Sequence, residues 1–423
     1  MLYPTQIKIR IFMQQTLSCD CLVAGGGPAG LSAAIAAAEA GRRVIVAEYL
    51  PSPGRKLLAS GSGKCNLTNA LPPEALARRF SAPFRFVRPA LYSYPPGAWR
   101  EFLSARGVPT VSPDGFHYFP KSMRAADVLD ALLRRCRTLG VTILPGTPLR
   151  KLLIRDGKIS GAESGRGRVD SPRLILACGG MGYPQLGGRG SGYELAREAG
   201  HRIVPPVPAL VGLRAAEGWA ARLPGIILPA ATVRFEKNPA GTGELIFTHN
   251  GVSGPAVLDL SGSVARHLEN AAEAVLACNW QSRPPEAYRE QFALWQKQDG
   301  KKQLKTLLAR MLPAAFADAL CEAAELPGGG SAAHLRAAQR DRLVAALTNY
   351  PLRISGTDGW SKAMATAGGV PPEEVDAKTL SSRFCAGLFF AGEMLDVGAP
   401  CGGYNIQWAV SSGRLAGSAA ARL

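Results

Sequence analysis

The sequence predicts an α/β fold: a Rossmann-like domain interrupted by a small antiparallel β-barrel and a helical insert. Three observations lead there. The stretch Cys21–Gly30 reads CLVAGGGPAG, so an apolar run meets Gly25, Gly27 and Gly30 at G-x-G-x-x-G spacing, and an alanine-rich helical run from Leu31 to Ala40 follows at once. A second apolar run, Val44-Ile45-Val46, is followed by an acid, Glu48, 23 positions after Gly25. Two more apolar runs, Leu174–Leu176 and Leu388–Phe390, end in glycines far along the chain, and between them short β-like runs give way to charged helical ones. Strand, tight turn, helix, strand and acid together make a dinucleotide-binding unit.

Residues 1–18 precede the first strand and contain Lys8 and Arg10 in a short, broken apolar stretch. An extension, or an upstream start ahead of Met13, is expected rather than a signal peptide. At the fingerprint, Gly25 permits the turn, Gly27 lets the backbone approach a pyrophosphate, and Gly30 allows close packing of helix on strand. The helix start then faces phosphate with free N–H groups and the positive end of its dipole. Glu48 stands where a carboxylate accepts from ribose hydroxyls.

The connection from Gly54 to Asn69 is long, polar and glycine-rich. Its Gly63-Lys64 is not a P-loop, because Leu58 and Cys65 occupy positions where that motif needs glycine and a hydroxyl. It reads as a loop running along a cofactor, with Arg55 and Lys56 as phosphate or substrate contacts or as a solvated basic turn. Residues 71–140 read as mixed helix and loop, with a helix from about Ala125 to Leu139. His117, between aromatics, reads as structural. Val141–Leu144 is a strand, and Leu149–Ile154, Lys158–Glu163 and Arg168–Asp170 form a short antiparallel meander. Leu174–Gly180 reads as another strand of the main sheet, and Gly187–Gly192 opens a helix from Tyr193 to Ala199.

Beyond Pro205, the runs Val207–Leu213, Ala231–Glu236, Glu244–Thr248, Ala256–Leu260 and Ala274–Cys278 read as barrel strands. Pro285 to about Leu347 is helical. Gly328–Ala333 matches G-x-G-x-x-A but follows helix, not strand, and reads as a loop with helix capping. Residues 350–370 return towards the first domain. Leu388–Phe390 then brings Gly392 and Glu393 to the carboxyl edge of the sheet, and Cys401-Gly402-Gly403 opens the helix Ile406–Leu423. The expected domains are 18–203 with 352–423, 204–282 with 340–351, and 283–339.

Composition narrows the class. The chain has 423 residues, 47% hydrophobic and 19% charged, and no apolar run nears the ~20 residues of a membrane span. Nine cysteines include no C-x-x-C pair, so no metal site is expected; reduced thiols point to a cytoplasmic protein. A net charge of +17 attracts anions without choosing among them. No RNA-binding motif accompanies it, so nucleic acid is not the expected partner.

A nicotinamide dehydrogenase could share the opening fingerprint. The return to the same sheet at Phe389–Asn405 favours FAD, a longer cofactor that needs a second contact region. The motifs GRKLLASGSGKCNLTN (54–69), LILACGGMGYPQLG (174–187), GELIFTHNGVSGPAVLDLS (243–261) and GLFFAGEMLDVGAPCGGYNIQWAVSSG (387–413) resemble, nearly end to end, the BaiN/RdsA/aminoacetone-oxidase group of NAD(P)/FAD-dependent oxidoreductases. The resemblance implies an FAD-binding Rossmann-like domain holding the pyrophosphate at Gly25, Gly27, Pro28, Ala29 and Gly30 and the adenosine ribose at Glu48. It implies Arg55, Lys56, Ser60, Gly61 and Asn66 along the cofactor, and Ala177, Gly179 and Gly180 near its adenosine half. Gly392 and Glu393 would meet ribitol or diphosphate, and Gly403, Tyr404, Asn405 and Ile406 the ring. Three positions depart from the group: Cys178 replaces threonine, Ser191 stands where an acid is common, and Ser62 where glycine or asparagine is.

The expected activity is hydride transfer through flavin N5 between NADH or NADPH, visiting transiently, and a small organic substrate. The alternatives are an oxidase passing electrons from a small amine-type substrate to O₂, and a flavin-bound redox-sensing or nucleic-acid-binding protein. Lys64, Cys65, His249 and Tyr404 are the candidate catalytic groups, because they lie in or beside the motifs. Oligomeric state and substrate are not legible.

Overall fold

The computed structural model describes residues 16–326 and 330–422. The expectations about Lys8, Arg10 and Met13, and the glycines Gly328 and Gly329 of the second G-x-G-x-x-A match, lie outside the described residues.

The fingerprint strand Cys21–Ala24 is the middle of a five-stranded parallel sheet, in the order Leu388–Phe390, Leu174–Leu176, Cys21–Ala24, Val44–Ala47, Thr142–Leu144. All but the last of these strands are fully buried, which is why they read as unbroken apolar runs rather than alternating ones. The helix Pro28–Glu39 starts directly at Gly27, with proline at its first position, and buries Leu31, Ala33, Ala34 and Ile35. The long final helix, Tyr404–Arg422, packs on it at close range: a methyl on Gly413 would come within 2.2 Å of the Ala29 carbonyl oxygen. The two helices are therefore in close contact where Gly413 meets Ala29.

The meander forms as expected. Leu149–Arg155, Lys158–Ser164 and Gly167–Asp170 pair antiparallel, and Leu17–Ser18 joins the last of them in parallel. A three-stranded sheet of Thr68–Asn69, His117–Pro120 and Thr110–Val111 lies under the glycine-rich start of the final helix, where Asn69 Nδ2 donates to the Gly402 carbonyl at 2.9 Å.

The interrupting barrel is closed, in the order Leu213–Ala215, Gly251–Ser253, Gly241–Thr248, Ile227–Arg234, Ala274–Asn279, Tyr350–Thr357. Its last strand straddles the boundary drawn at 351/352 from the sequence. The helices Pro285–Gln298, Leu304–Leu308, Ala314–Ala323 and Ala337–Thr348 cap it, and barrel and helices share one core around Phe247, Trp280 and Phe316.

Two expected strands are corrected. Ala256–Leu260 lies within the helix Pro255–Leu268. Gly254 and Pro255 start that helix, and its buried residues Ala256, Val257, Leu260, Ser261 and Val264 follow helical spacing, which five apolar-rich residues taken alone did not reveal. Val207–Leu213 is not a barrel strand either. Val204–Ala209 pairs antiparallel with Ala365–Gly369, making a two-stranded link between barrel and Rossmann parts, and only Leu213 enters the barrel. Among the described residues no helix is long and apolar enough to cross a membrane.

Candidate cofactor site

Each parallel strand delivers its C-terminal end to one edge, and there a cavity of about 500 Å³ opens. Pockets of this size hold cofactors and small ligands. It is lined by Gly25, Gly27, Pro28 and Ala29 from the fingerprint, by Glu48, and by Arg55, Lys56, Ser60, Gly61 and Asn66 from the following loop. Ala177, Gly179 and Gly180 from the third strand end, with Glu393, Gly403, Asn405 and Ile406 from the C-terminal return, line it too; of the expected contacts, Gly30, Gly392 and Tyr404 do not.

Within the fingerprint, a methyl on Gly30 would sit 1.9 Å from the Gly25 carbonyl oxygen, and one on Gly25 would sit 2.5 Å from that of Ala177. Those two positions are closed by the protein itself. A methyl on Gly27 would meet nothing within 4 Å, so the helix N-terminus looks out into free space. Unpaired N–H groups of the first helical turn facing a void form an anion cradle. Gly30 packs behind this cradle, and Gly392 packs against Ala29; neither lines the cavity.

Glu48 is buried, and both its oxygens are held: Oε2 accepts from Gly26 N at 2.6 Å and Oε1 from Leu50 N at 2.7 Å. The fold thus fixes a carboxylate at the end of the second strand. In the middle of the cavity Lys56 Nζ meets Glu393 Oε2 at 2.7 Å, and Glu393 Oε1 accepts from Thr366 N at 2.7 Å. Thr366 Oγ1 accepts from Met181 N at 2.8 Å, fastening the Gly179–Gly182 turn to the barrel link. The sequence reading missed Thr366; only its neighbouring glycines mark the place, and its partners lie 27 to 185 residues away in the chain.

Asn66 lines the cavity with a buried, partnerless Oδ1, and Thr68 Oγ1 beneath Gly403 is partnerless too. A cradle at one end and an orphaned acceptor at the other fit a dinucleotide with a polar ring at its far terminus.

The three departures are accommodated. Ser62 takes a left-handed φ of 54°, the conformation glycine would have supplied more cheaply. Cys178 places its Sγ 3.6 Å from the Ala24 carbonyl, and burial pushes its thiol up to about 12. Ser191 begins the helix Ser191–Glu198 at the cavity wall.

None of the four candidate catalytic groups lines the cavity. Lys64 is exposed on the loop. Cys65 is 0% exposed, with its thiol pushed up to about 12 by burial. His249 sits on the exposed turn joining Gly241–Thr248 to Gly251–Ser253. Tyr404 is buried edge-on against Phe80, centroids 6.3 Å apart, and burial raises its pKa. Sequence adjacency to a motif put them on the list; side-chain direction takes them off the cavity wall.

Beside Cys401 and Gly402, which line the cavity, the structure brings Asp259, from the 243–261 motif, and His117, neither of which the sequence reading assigned to the site. Asp259 Oδ1, from the helix Pro255–Leu268, accepts from Cys401 N at 2.8 Å. His117 Nδ1 pairs with Asp114 Oδ2 at 2.5 Å, and its Nε2 lies 3.2 Å from where a methyl on Gly402 would be.

Comparison with known proteins places the whole chain. The family described as HI0933-like protein Rossmann domain matches residues 19–419. The 3-dehydro-bile acid delta(4,6)-reductase of Clostridium scindens is 35% identical over 406 residues, covering 94% of this chain and 98% of that protein. The ribosomal RNA dihydrouridine synthase of Escherichia coli is 29% identical over 417 residues, covering 93% and 96%. Among solved structures, the 3-ketosteroid delta1-dehydrogenase from Sterolibacterium denitrificans matches with a TM-score of 0.55 at 14% identity over 96% of this chain and 100% of that one, a likeness of fold.

Proposed function

The chain belongs to the HI0933-like Rossmann-domain family, and on that premise we propose that it is an FAD-dependent reductase, drawing on NADH or NADPH, that saturates a carbon–carbon double bond conjugated to a carbonyl. The observation that carries the proposal is the single cavity running from the Gly27 cradle to the Gly402–Ile406 helix start. The printed activities of the two relatives supply the bond type. A delta(4,6) alkene beside a 3-oxo group, and the 5,6 bond of uracil, are both alkenes conjugated to a carbonyl.

When bound, FAD supplies two-electron chemistry at its ring. This chain's residues do the rest. The first turn of Pro28–Glu39 would hold the diphosphate, Glu48 would accept from ribose, and the Lys56–Glu393 pair would hold the middle of the cofactor. The start of the 19-residue helix Tyr404–Arg422 turns its positive end to the cavity and would stabilise negative charge on a bound flavin ring. The barrel link adds Leu210, Met364 and Thr366 to the cavity wall.

The test is anaerobic. The purified protein should show a flavin spectrum that NADH or NADPH bleaches and that a conjugated enone, such as 2-cyclohexen-1-one, restores. Restoration by O₂ alone, with peroxide release and no enone reduction, would instead make it an oxidase. A polyanionic substrate is the second reading. It is favoured by arginines stacked over aromatic rings in the Rossmann part: Arg78 over Phe84 at 4.6 Å, Arg88 over Tyr92 at 5.0 Å and Arg100 over Tyr118 at 3.8 Å. Salt-dependent retention of ribosomal RNA, lost on charge reversal of these arginines, supports it; no retention at low salt rejects it.

A further inference from the structure

We propose that Asp259 is the proton donor to the substrate, so that the reacting centre is completed across the junction between the barrel and Rossmann parts. This rests on the reading above, since saturating a conjugated alkene needs a proton as well as a hydride.

Asp259 belongs to a helix whose buried face packs on the barrel, yet its carboxylate turns the other way. The carboxylate is not itself on the cavity wall; it accepts from Cys401 N at 2.8 Å, and Cys401 and Gly402 both line the cavity. Asp259 is exposed, and its hydrogen bond to Cys401 joins the helix Pro255–Leu268 to the C-terminal return of the Rossmann part. Burial raises its pKa above the ordinary carboxylate value, against the Cys401 N–H and the Arg79 guanidinium, which lower it. The carboxyl is open to reprotonation from solvent, and among the described residues it is held at one oxygen by Cys401 N–H, which leaves the other to donate. Arg79, Cys401 and Tyr404 are the charged or titratable groups that interact with it from the Rossmann side.

The rivals are worse placed. The Cys65 and Cys401 thiols are pushed up to about 12 by burial. Glu393 is tied to Lys56 and to Thr366 N, and Tyr404 is packed against Phe80. Only His117, oriented by Asp114, has a ring nitrogen directed at Gly402, and it is the control.

The step balances. A flavin held by the Gly27 cradle, Glu48 and Lys56 would supply the hydride, with both electrons, for one alkene carbon. The displaced π pair forms a C–H bond at the other carbon with the proton released as the Asp259 O–H breaks. Substrate gains two hydrogens, the carboxylate rests on Cys401 N–H and beside Arg79, and water restores its proton.

The test has two arms. In the cofactor-free protein, ¹³C-carboxyl NMR should show one aspartate titrating above the ordinary value of about 3.9, and Asp259→Asn should remove that signal. In the FAD-loaded protein, reduced beforehand, Asp259→Asn should slow reoxidation by 2-cyclohexen-1-one about 100-fold or more, while reduction by NADPH and reoxidation by O₂ stay at the wild-type rate. Asp259→Glu should recover part of the rate. The wild-type enone step should slow as pH rises through the Asp259 pKa, and Asp259→Asn should lack that limb. An ordinary titration, a wild-type enone rate in Asp259→Asn, or transfer of the loss to His117→Gln would each overturn the assignment. A wild-type protein that NADPH reduces but no enone reoxidises would defeat the alkene-reductase reading, and this inference with it.

Discussion

Gly27→Ala should separate cofactor binding from folding. Gly27 sits at φ −78°, ψ −179°, extended backbone that alanine adopts freely, and its added methyl meets nothing within 4 Å. The apoprotein therefore loses at most the difference between glycine and alanine at a helix N-cap, about 1 kcal/mol or less, partly offset by a stiffer unfolded chain. The methyl projects where the diphosphate must approach the Gly27–Gly30 backbone, so FAD affinity should fall about 100-fold or more, the loss of roughly two charge-assisted hydrogen bonds. At a free FAD concentration 100 times the wild-type Kd, cofactor stabilises wild type by about 2.7 kcal/mol; a 100-fold weaker variant keeps only about 0.4. The assay is flavin stoichiometry by absorbance on purified protein, with thermal melts of apoprotein with and without added FAD. Gly30→Ala is the contrast: its methyl would stand 1.9 Å from the Gly25 carbonyl oxygen, so apoprotein stability itself should collapse. Stoichiometric flavin and a wild-type FAD-dependent melting shift in Gly27→Ala would refute the cradle.

Other outcomes follow from the same geometry. Lys56→Met strands Glu393 with its Thr366 N–H contact, and because the pair is 30% and 26% exposed it should cost about 1–2 kcal/mol, between surface and buried ion pairs, read in urea melts of the apoprotein. Burial pushes Cys21, Cys65, Cys136, Cys178 and Cys401 up to about 12, so native protein at pH 8 should label these thiols slowly, whereas all nine cysteines react once unfolded. His201 is buried, and burial lowers its pKa from 6.5 despite Glu374 Oε2 at 3.1 Å. The folded state thus binds fewer protons than the unfolded, and stability present above pH 6.5 should drain away as pH falls through the folded value. His201→Gln should flatten that part of the melting profile against pH.

The chain by itself determined the Rossmann part. Strands buried on both faces must be apolar throughout, a phosphate-facing turn must be glycine, and each leaves a local mark that spacing turns into topology, from Cys21–Gly30 to Leu388–Glu393. The sequence also marked most of the cavity wall, because backbone approach to a cofactor selects residues by type. Where one short run could serve two periods it misled. Ala256–Leu260 looks like a strand until the helix start at Gly254-Pro255 and the buried positions beyond it are taken together. Tertiary structure alone decided which side chains face the cavity. Cys65 and Tyr404 sit inside strong motifs yet point into the core, since a motif records backbone need and not side-chain direction. Thr366 lies in no motif, and Asp259 lies in one, 243–261, that does not tell where its side chain points. Their roles exist only because the closed barrel brings the link strand Ala365–Gly369 and the helix Pro255–Leu268 back to the open edge of the parallel sheet, where contacts between residues more than a hundred positions apart complete the site.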